Sequence, residues 1–250
     1  MNNFLSQFNN DSRFEIYIHL DGKTKEDIDN GKKIIKSNIK YCEHLFNSPR
    51  FSIEMVEVMY ELLSKANKNY KYDYYHFFSE SCYLIKSLDE FYNFFQENNL
   101  NSFVPHFFDK NFLYKNKTHK LYKGTQWMSL HKSIVYKLLN NKHLFTKYKK
   151  EVKNNKIKLI QGALDECILQ NMIVLNIYNK NSQKYKIKNK DIRYIRWNNC
   201  SNEYCPNFLN IDNVSENETN YIRKNFLIIR KINYKDFKSI ELINKLRGFS

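Results

Sequence analysis

Short segments rich in β-branched and aromatic residues alternate with amphipathic segments along most of the chain, and this order constrains its fold most strongly. Residues 14–21 (FEIYIHLD) have the composition of a buried strand that ends at an aspartate. Residues 51–65 have apolar side chains every three or four positions, the period of a helix packed on one face. The alternation continues to the carboxyl terminus, so the sequence predicts a mainly α/β domain in which helices cover a sheet.

Further segments complete this pattern. Ser87 precedes Glu90 by three residues, a capping-box arrangement that predicts a helix over residues 87–98. Residues 103–121 show no regular period and predict an irregular segment. Strands are also predicted at residues 72–78, 126–130, 192–197 and 226–232, and helices at residues 25–41, 131–141, 165–175 and 236–246.

Composition excludes several classes of protein. Hydrophobic residues make up 42% of the 250 residues, too large a share for a disordered chain. The longest apolar runs, such as MIVL, are far shorter than the roughly 20 residues of a membrane span. The amino terminus has no signal-peptide pattern, and five irregularly spaced cysteines do not suggest a disulfide framework. We therefore expect a soluble or peripheral globular protein with reduced thiols, located in the cytoplasm.

Charge is divided unevenly between the two halves of the chain. The formal net charge is +15. Residues 1–110 have 13 basic against 16 acidic side chains, whereas residues 111–250 have 28 against 10. We expect the second half to face an anionic partner, which could be a nucleotide diphosphate, a lipid surface or, less readily, a nucleic-acid backbone.

Short motifs of high specificity are absent from the sequence. It lacks the GxGxxG and P-loop patterns of nucleotide binding and the HExxH and GxSxG patterns of hydrolases. No predicted strand ends in the Asp-x-Asp pair that commonly holds a metal ion on a nucleotide diphosphate. Cys200 and Cys205 have neither the spacing nor the second pair of a zinc site, so we expect two free thiols. The sequence predicts no metal and no cofactor.

Six weaker blocks are more informative because of their order. They are IYIHLD (residues 16–21), SESCYLIK (79–86), GTQWMSL (124–130), LDECILQN (164–171), IRYIRW (192–197) and FLIIRKI (226–232). Together they resemble the core-2/I-branching β-1,6-N-acetylglucosaminyltransferase family, which includes the peptide O-xylosyltransferases and many bacterial members. The corresponding family blocks read approximately IHxD, LSGxDYPIKS, GxQWFxL, PDExFFQT, LRYIDW and LFARKF. The resemblance extends over nearly the whole chain.

The resemblance implies a glycosyltransferase A-type fold, in which a Rossmann-like mixed sheet binds a nucleotide sugar and is flanked by helices. It also implies an inverting sugar transfer that needs no metal. The chain would then be a single glycosyltransferase domain over residues 1–250. Residues 1–110 would form its nucleotide-binding half, and residues 111–250 its basic half for the acceptor and the diphosphate.

The resemblance assigns the catalytic base and the diphosphate site. Glu166 matches the family's base, which takes the proton from the acceptor hydroxyl. Arg230 and Lys231 match a pair that stabilises the leaving diphosphate with cationic side chains. A structural alternative remains open for each assignment. Asp165 and Glu166 could simply be acids that favour the first turn of a helix. Arg230 and Lys231 could be a solvated pair at the end of a strand.

The resemblance also assigns residues to the nucleoside and the acceptor. Asp21 matches an aspartate that accepts hydrogen bonds from the nucleoside, and its alternative is a turn residue before Gly22. Trp197 matches a tryptophan that stacks on the acceptor sugar, and its alternative is a core residue. Trp127 and Gln126 would line either the acceptor side or the core.

Several positions depart from the family pattern. In SESCYLIK the family's glycine, aspartate and proline become Glu80, Cys82 and Leu84, and in LDECILQN its proline becomes Leu164. The Trp-Gly segment expected before the helix at 51–65 is unrecognisable in SPRFSIE. The family's first strand, which helps to build the nucleotide pocket, has no counterpart before Met1.

From the resemblance we predict a bacterial enzyme that forms a β-linkage. It would transfer a sugar of the N-acetylglucosamine or xylose type from a UDP-sugar to a hydroxyl of a cell-surface or lipid-linked glycan. Its basic half would contact the anionic inner face of the cytoplasmic membrane. Two alternatives stay open: a sugar-binding relative without catalysis, and a basic, aromatic-rich nucleic-acid-binding protein. We do not expect nucleic acid as a partner, because the aromatic residues fall within predicted strands.

Overall fold

The computed structural model describes residues 2–8, 11–21, 26, 29–30, 39–45, 47–49, 51–69, 71–114, 117–153, 164–178, 186–197 and 206–248. The chain forms two compact units, each built from separate segments. The central unit comprises Asp11–Phe77 and Asn99–Lys190, and the terminal unit comprises Met1–Asn10, Phe78–Asn98 and Asp191–Ser250. The functional division expected at residue 110 stays a prediction.

Helices and strands are interspersed along the described chain. The strands are β1 (Ile16–His19), β2 (Ile39–Glu43), β3 (Tyr74–His76), β4 (Cys82–Leu84), β5 (Asn101–Phe103), β6 (His106–Tyr114), β7 (Lys117–Gly124), β8 (Ser129–His131), β9 (Lys186–Lys188), β10 (Arg193–Ile195) and β11 (Ile228–Arg230). The α-helices are α1 (Asn2–Leu5), α2 (Ile53–Ala66), α3 (Leu88–Glu97), α4 (Lys132–Asn140), α5 (Lys142–Lys153), α6 (Ile168–Asn171), α7 (Glu216–Asn225) and α8 (Phe237–Arg247).

The central unit contains three sets of paired strands among its described residues. Its largest sheet has the order β3-β8-β5-β9, in which only β5 and β9 run parallel. Strands β1 and β2 form a parallel pair, and β6 and β7 form a long antiparallel ribbon. This mixture of parallel and antiparallel strands, with helices between them, confirms the expected mixed α/β class.

Helix α2 supplies much of the core of the central unit. Ser52 caps its amino terminus by accepting a hydrogen bond from the amide of Met55 at 3.3 Å, which satisfies one of the free amides of the first turn. Val56, Met59 and Leu63 recur at helical spacing and are buried in the hydrophobic core. The predicted amphipathic pattern therefore identifies the face that packs.

The terminal unit is organised around the sheet β10-β11-β4. Strands β10 and β11 are parallel, and β4 is antiparallel to β11. Helix α3 begins with the predicted capping box, in which Ser87 and Glu90 satisfy each other's backbone amides. Ile229 of β11, Leu209 and Leu242 of α8 are fully buried in a second hydrophobic cluster.

Most predicted elements are confirmed, and the largest error concerns residues 103–121. This segment was expected to be irregular, but it contains most of the β6–β7 ribbon. Neighbouring Phe107 and Phe108 are both exposed. Since this part of the ribbon is exposed on both faces, it lacks the apolar–polar alternation that marks a half-buried strand.

Smaller corrections concern helix type and burial. The helix expected at 165–175 is a 3₁₀ turn at Leu164–Glu166, followed by α6 and a π-helix at Met172–Tyr178. Of the helix expected at 25–41, the final residues belong to strand β2 instead, and most of the others lie outside the described residues. Strand β1 is half-buried rather than buried, because β2 is its one partner among the described strands.

The predictions about thiols and membrane spans can be compared with the structure only at the described residues. Cys42, Cys82 and Cys167 are free thiols, whereas Cys200 and Cys205 lie outside the described residues. Within the described ranges, none of the helices has the length and apolar character needed to cross a bilayer.

Candidate active site

Glu166 lies in the central unit, in the 3₁₀ turn that leads into α6. The amide of Leu164 donates to the carbonyl of Phe51 at 3.1 Å, and the amide of Cys167 donates back to Leu164 at 3.1 Å. The π-helix that follows α6 contains the fully buried Met172 and Ile173. The turn is therefore anchored at both ends, which holds the Glu166 carboxylate on a rigid support.

The carboxylate of Glu166 pairs with a cation from the ribbon. Lys123 Nζ lies 3.4 Å from Glu166 Oε2, and the two side chains are 28% and 18% exposed. Burial raises the pKa of Glu166 above its ordinary value, while the Lys123 charge acts in the opposite direction. The result is a partly desolvated carboxylate that stays accessible, the environment of a general base.

Asp165, the neighbour of Glu166, is a different kind of acid. It is almost completely buried, and its Oδ1 has no hydrogen-bond partner among the described residues. Burial, with the adjacent charge of Glu166, raises the pKa of Asp165 to about 6. The structure thus separates the two carboxyls of the LDE block into one that is enclosed and one that is partly open.

Gly124, the residue after Lys123, lies directly against the backbone of Pro105. A β-carbon at Gly124 would lie 1.9 Å from the carbonyl oxygen of Pro105, a distance that only glycine avoids. Beyond Lys123, Asn171 of α6 donates to the Tyr122 carbonyl at 2.7 Å and accepts from the Tyr122 amide at 3.0 Å. These contacts fix the end of β7 against the helix that follows Glu166.

Asp21 lies on the central unit, just beyond the carboxyl end of β1, and is exposed. Its Oδ1 accepts a hydrogen bond from the hydroxyl of Ser48 at 3.2 Å, and Ser48 Oγ lies 3.1 Å from His19 Nε2. Because the Leu45 amide donates to His19 Nδ1, the ring proton is on Nε2 and points to Ser48. Burial lowers the pKa of His19, which favours this neutral form.

Trp127 lies between β7 and β8 in the central unit and is half-buried. The next residue, Met128, is fully buried and belongs to the core. Trp127 therefore stands at the border between core and surface, and its acceptor role stays a prediction.

Trp197, Arg230 and Lys231 lie together at one edge of the terminal unit. Ile195 of β10 pairs with Arg230 of β11, so the residues that follow both parallel strands emerge at the same edge. Trp197 is 41% exposed, which rules out the alternative of a core tryptophan. The residues after each strand are tied together by the segment at 206–209, whose Leu209 amide donates to the Lys231 carbonyl at 2.8 Å.

The guanidinium of Arg230 contacts the altered SESCYLIK block. Its Nη1 donates to the hydroxyls of Ser79 and Ser81, the latter at 2.8 Å. Cys82, which replaces a family aspartate, lies beside the same group at 4.0 Å. The block that departs from the family pattern therefore positions one of the two predicted diphosphate ligands.

Lys231 is oriented by an aromatic ring. Its ammonium lies 4.4 Å from the centroid of the Phe208 ring, a cation–π distance, and Phe208 is 47% exposed. The ring and the cation stand on the same exposed edge as Trp197. This arrangement suits an anionic group next to a ring-shaped ligand.

The predicted residues thus form two groups. Asp21, Trp127 and Glu166 belong to the central unit, whereas Trp197, Arg230 and Lys231 belong to the terminal unit. Within the residues that the structure describes, no three acidic, histidine or cysteine side chains cluster as metal ligands would.

Sequence reasoning missed the partners that orient these residues. Lys123, Ser48 and Phe208 contact Glu166, Asp21 and Lys231, respectively. Lys123 directly precedes the GTQW block, so the sequence could have marked it as a residue near the candidate site. Ser48 lies in the segment where the family pattern is unrecognisable, and nothing in the sequence marked it or Phe208.

Mixed sheets flanked by helices, with acidic and cationic side chains at strand and turn ends, are consistent with the glycosyltransferase A-type class of proteins. The chain belongs to the Core-2/I-Branching enzyme family, whose family model matches residues 2–223. This family consists of glycosyltransferases, which in general use a nucleotide-sugar donor and a glycan acceptor. The match includes Asp21, Trp127, Glu166 and Trp197 and ends before Arg230 and Lys231. None of the curated proteins compared with the chain matches it.

Proposed function

We propose that this protein is an inverting glycosyltransferase in which Glu166 is the catalytic base. The observation that carries the proposal is the partly buried Glu166 carboxylate, held on an anchored turn and paired with Lys123 at 3.4 Å. In a single displacement the base takes the proton of the acceptor hydroxyl as its oxygen attacks the anomeric carbon. Attack opposite the leaving group converts an α-linked donor into a β-linked product.

The leaving group in this mechanism is a nucleotide diphosphate. Arg230 and Lys231 would stabilise its growing negative charge, and a metal would not be required. The contacts of Arg230 with Ser79 and Ser81, and of Lys231 with Phe208, support a preorganised site of this kind.

The donor would be a UDP-sugar of the N-acetylglucosamine or xylose type. Asp21 would accept hydrogen bonds from the nucleoside, and the His19–Ser48 chain holds its carboxylate in one orientation. Residues 1–110 would serve mainly the nucleotide and residues 111–250 the acceptor and diphosphate, within one catalytic domain.

The acceptor would be a hydroxyl of a glycan, with Trp197 and Trp127 contacting its rings. A bacterial cell-surface or lipid-linked glycan fits the charge of the chain, because a net +15 favours contact with an anionic lipid surface. The enzyme would then work in the cytoplasm, at the inner face of the cytoplasmic membrane.

The substitution Glu166→Gln tests this function. It keeps the shape of the side chain and removes the base, so turnover should fall by about two or more orders of magnitude while donor binding persists. Turnover should also survive excess EDTA. Near-normal turnover of the variant would refute the assignment of the base. Donor binding by the unaltered protein without any turnover would instead indicate a sugar-binding relative that has lost catalysis.

A further inference from the structure

An exposed aromatic residue lies on the same ribbon face as the contact to Glu166. Phe107 of β6 is paired directly with Lys123 of β7. Side chains of directly opposed residues project from the same face of an antiparallel pair. Since Lys123 reaches Glu166 from that face, the ring of Phe107 stands beside the approach to the proposed base.

The next residue belongs to the other face. Phe108 is paired with Tyr122, and their ring centroids lie 6.3 Å apart. His106 contacts the same Tyr122 ring at 5.6 Å. These contacts agree with the alternation of side chains along a strand. Phe107 and Phe108 therefore project from opposite faces of one ribbon.

Exposure alone does not distinguish the two rings, but their surroundings do. Phe107 is 56% exposed and Phe108 is 50% exposed. Phe107 shares its face with the ammonium of Lys123 and with the carboxylate of Glu166. In addition, burial raises the pKa of Cys167, the residue after Glu166, and the charge of Asp109 adds to this rise, so Asp109 also lies near this turn. An apolar ring surrounded by hydrogen-bonding groups suits a ligand with both apolar and hydroxylated surfaces.

We propose that Phe107 is an acceptor-binding residue on which a pyranose ring of the acceptor stacks, with one of its hydroxyls directed at Glu166. The inference rests on the proposed function, and it adds a residue and a face to the acceptor site. The apolar C–H side of a pyranose covers the exposed ring, while Lys123 can donate to a sugar oxygen. A lipid tail is a poorer occupant, because it would desolvate the charges of Lys123, Glu166 and Asp109.

The experiment compares Phe107→Ala with Phe108→Ala as a matched control. Both residues are exposed, so both variants should fold, and their thermal unfolding should match that of the unaltered protein. With a panel of water-soluble methyl pyranosides as probes, Phe107→Ala should raise the acceptor KM, or its Kd by calorimetry, by about 3- to 10-fold. The donor KM and kcat should change little, because uniform binding is lost. Phe107→Trp should restore the affinity, and Phe108→Ala should leave it unaltered.

Several results would overturn the inference. The first is an unchanged acceptor affinity in Phe107→Ala, and the second is the absence of measurable binding for every pyranoside of the panel. If both alanine variants impaired transfer to a lipid-linked acceptor in vesicles but not to soluble pyranosides, the ribbon would contact membrane instead. These results are separable from failure of the proposed function, which would appear as near-normal turnover of Glu166→Gln.

Discussion

Lys123 Nζ stands 3.4 Å from Glu166 Oε2, and this contact joins a strand of the ribbon to the turn that holds the proposed base. The two residues are distant in the sequence, and each is positioned by its own backbone contacts. Burial raises the pKa of the Glu166 carboxyl, and the Lys123 cation offsets part of this rise. Lys123 is therefore expected to control the pH range in which Glu166 can accept a proton.

Replacing Lys123 tests this role through the pH profile of kcat/KM. Glu166 has a raised pKa in the folded protein, so activity should increase as pH rises through it. Lys123→Met removes the charge that lowers this pKa, so the acidic limb of the profile should move to higher pH. Among the described residues, Asp165 beside Glu166 and Asp109 on β6 are further charged groups near this turn.

The conservative variant Lys123→Arg provides the control. Because it keeps the positive charge, the acidic limb of its pH profile should stay where it is in the unaltered protein. If Lys123→Met lowered activity equally at all pH values, the lysine would have only a structural role.

Asp165 should make stability depend on pH. Its pKa is about 6 in the folded protein against an ordinary 3.8, so the folded state binds more protons between these values. The free energy of unfolding should therefore fall as pH rises from about 4 to about 6 and stay lower above that range. Asp165→Asn should stabilise the protein at neutral pH by about 1–3 kcal/mol, with no gain near pH 4. Urea unfolding at both pH values measures this difference, and an equal effect at both would contradict it.

Ser48 should matter for nucleoside binding because its hydroxyl joins His19 to Asp21. Ser48→Ala removes the hydrogen bond that orients the Asp21 carboxylate, so the affinity for uridine and for UDP should fall equally, by about 3- to 10-fold. Calorimetry with both ligands measures the two effects.

Ser52→Ala is the matched control for this prediction. It removes the amino-terminal cap of α2 and should cost about 1 kcal/mol of stability, but it should leave uridine affinity unaltered. Uridine binding by Ser48→Ala at the original affinity would show that the chain of hydrogen bonds does not orient Asp21.

Lys231 and Phe208 should act together on the diphosphate. Lys231→Ala removes a charge-assisted contact and should weaken UDP binding by roughly 10- to 100-fold, with little change for uridine. Phe208→Leu removes the ring face that orients the ammonium and should weaken UDP binding by about 2- to 5-fold.

A double-mutant cycle separates an indirect effect of Phe208 from a direct one. In the Lys231→Ala background, Phe208→Leu should have no further effect on UDP affinity. Additive losses would mean that Phe208 contacts the nucleotide itself.

Regular periods in the sequence located several elements of the fold but not helices α5 and α7 or strands β5 and β9. The helical period at residues 51–65 identified α2 and its buried face, and the Ser87–Glu90 pair located the start of α3. These features depend on neighbours within a few residues, so they can be read locally. The β6–β7 ribbon escaped prediction because exposed strands do not need alternating polarity.

For the candidate site, too, the sequence and the tertiary structure supplied different information. The sequence by itself determined the mixed α/β class, which follows from local patterns, and the order of the six blocks, whose resemblance to a known family marked Glu166, Asp21, Trp197 and Lys231 as residues of interest. Only the tertiary structure decided which partners orient them: Lys123 for Glu166, Ser48 for Asp21 and Phe208 for Lys231. Such contacts join residues from different segments of the chain. Their distances depend on how those segments pack together, and the spacing of residues within one segment does not reveal this.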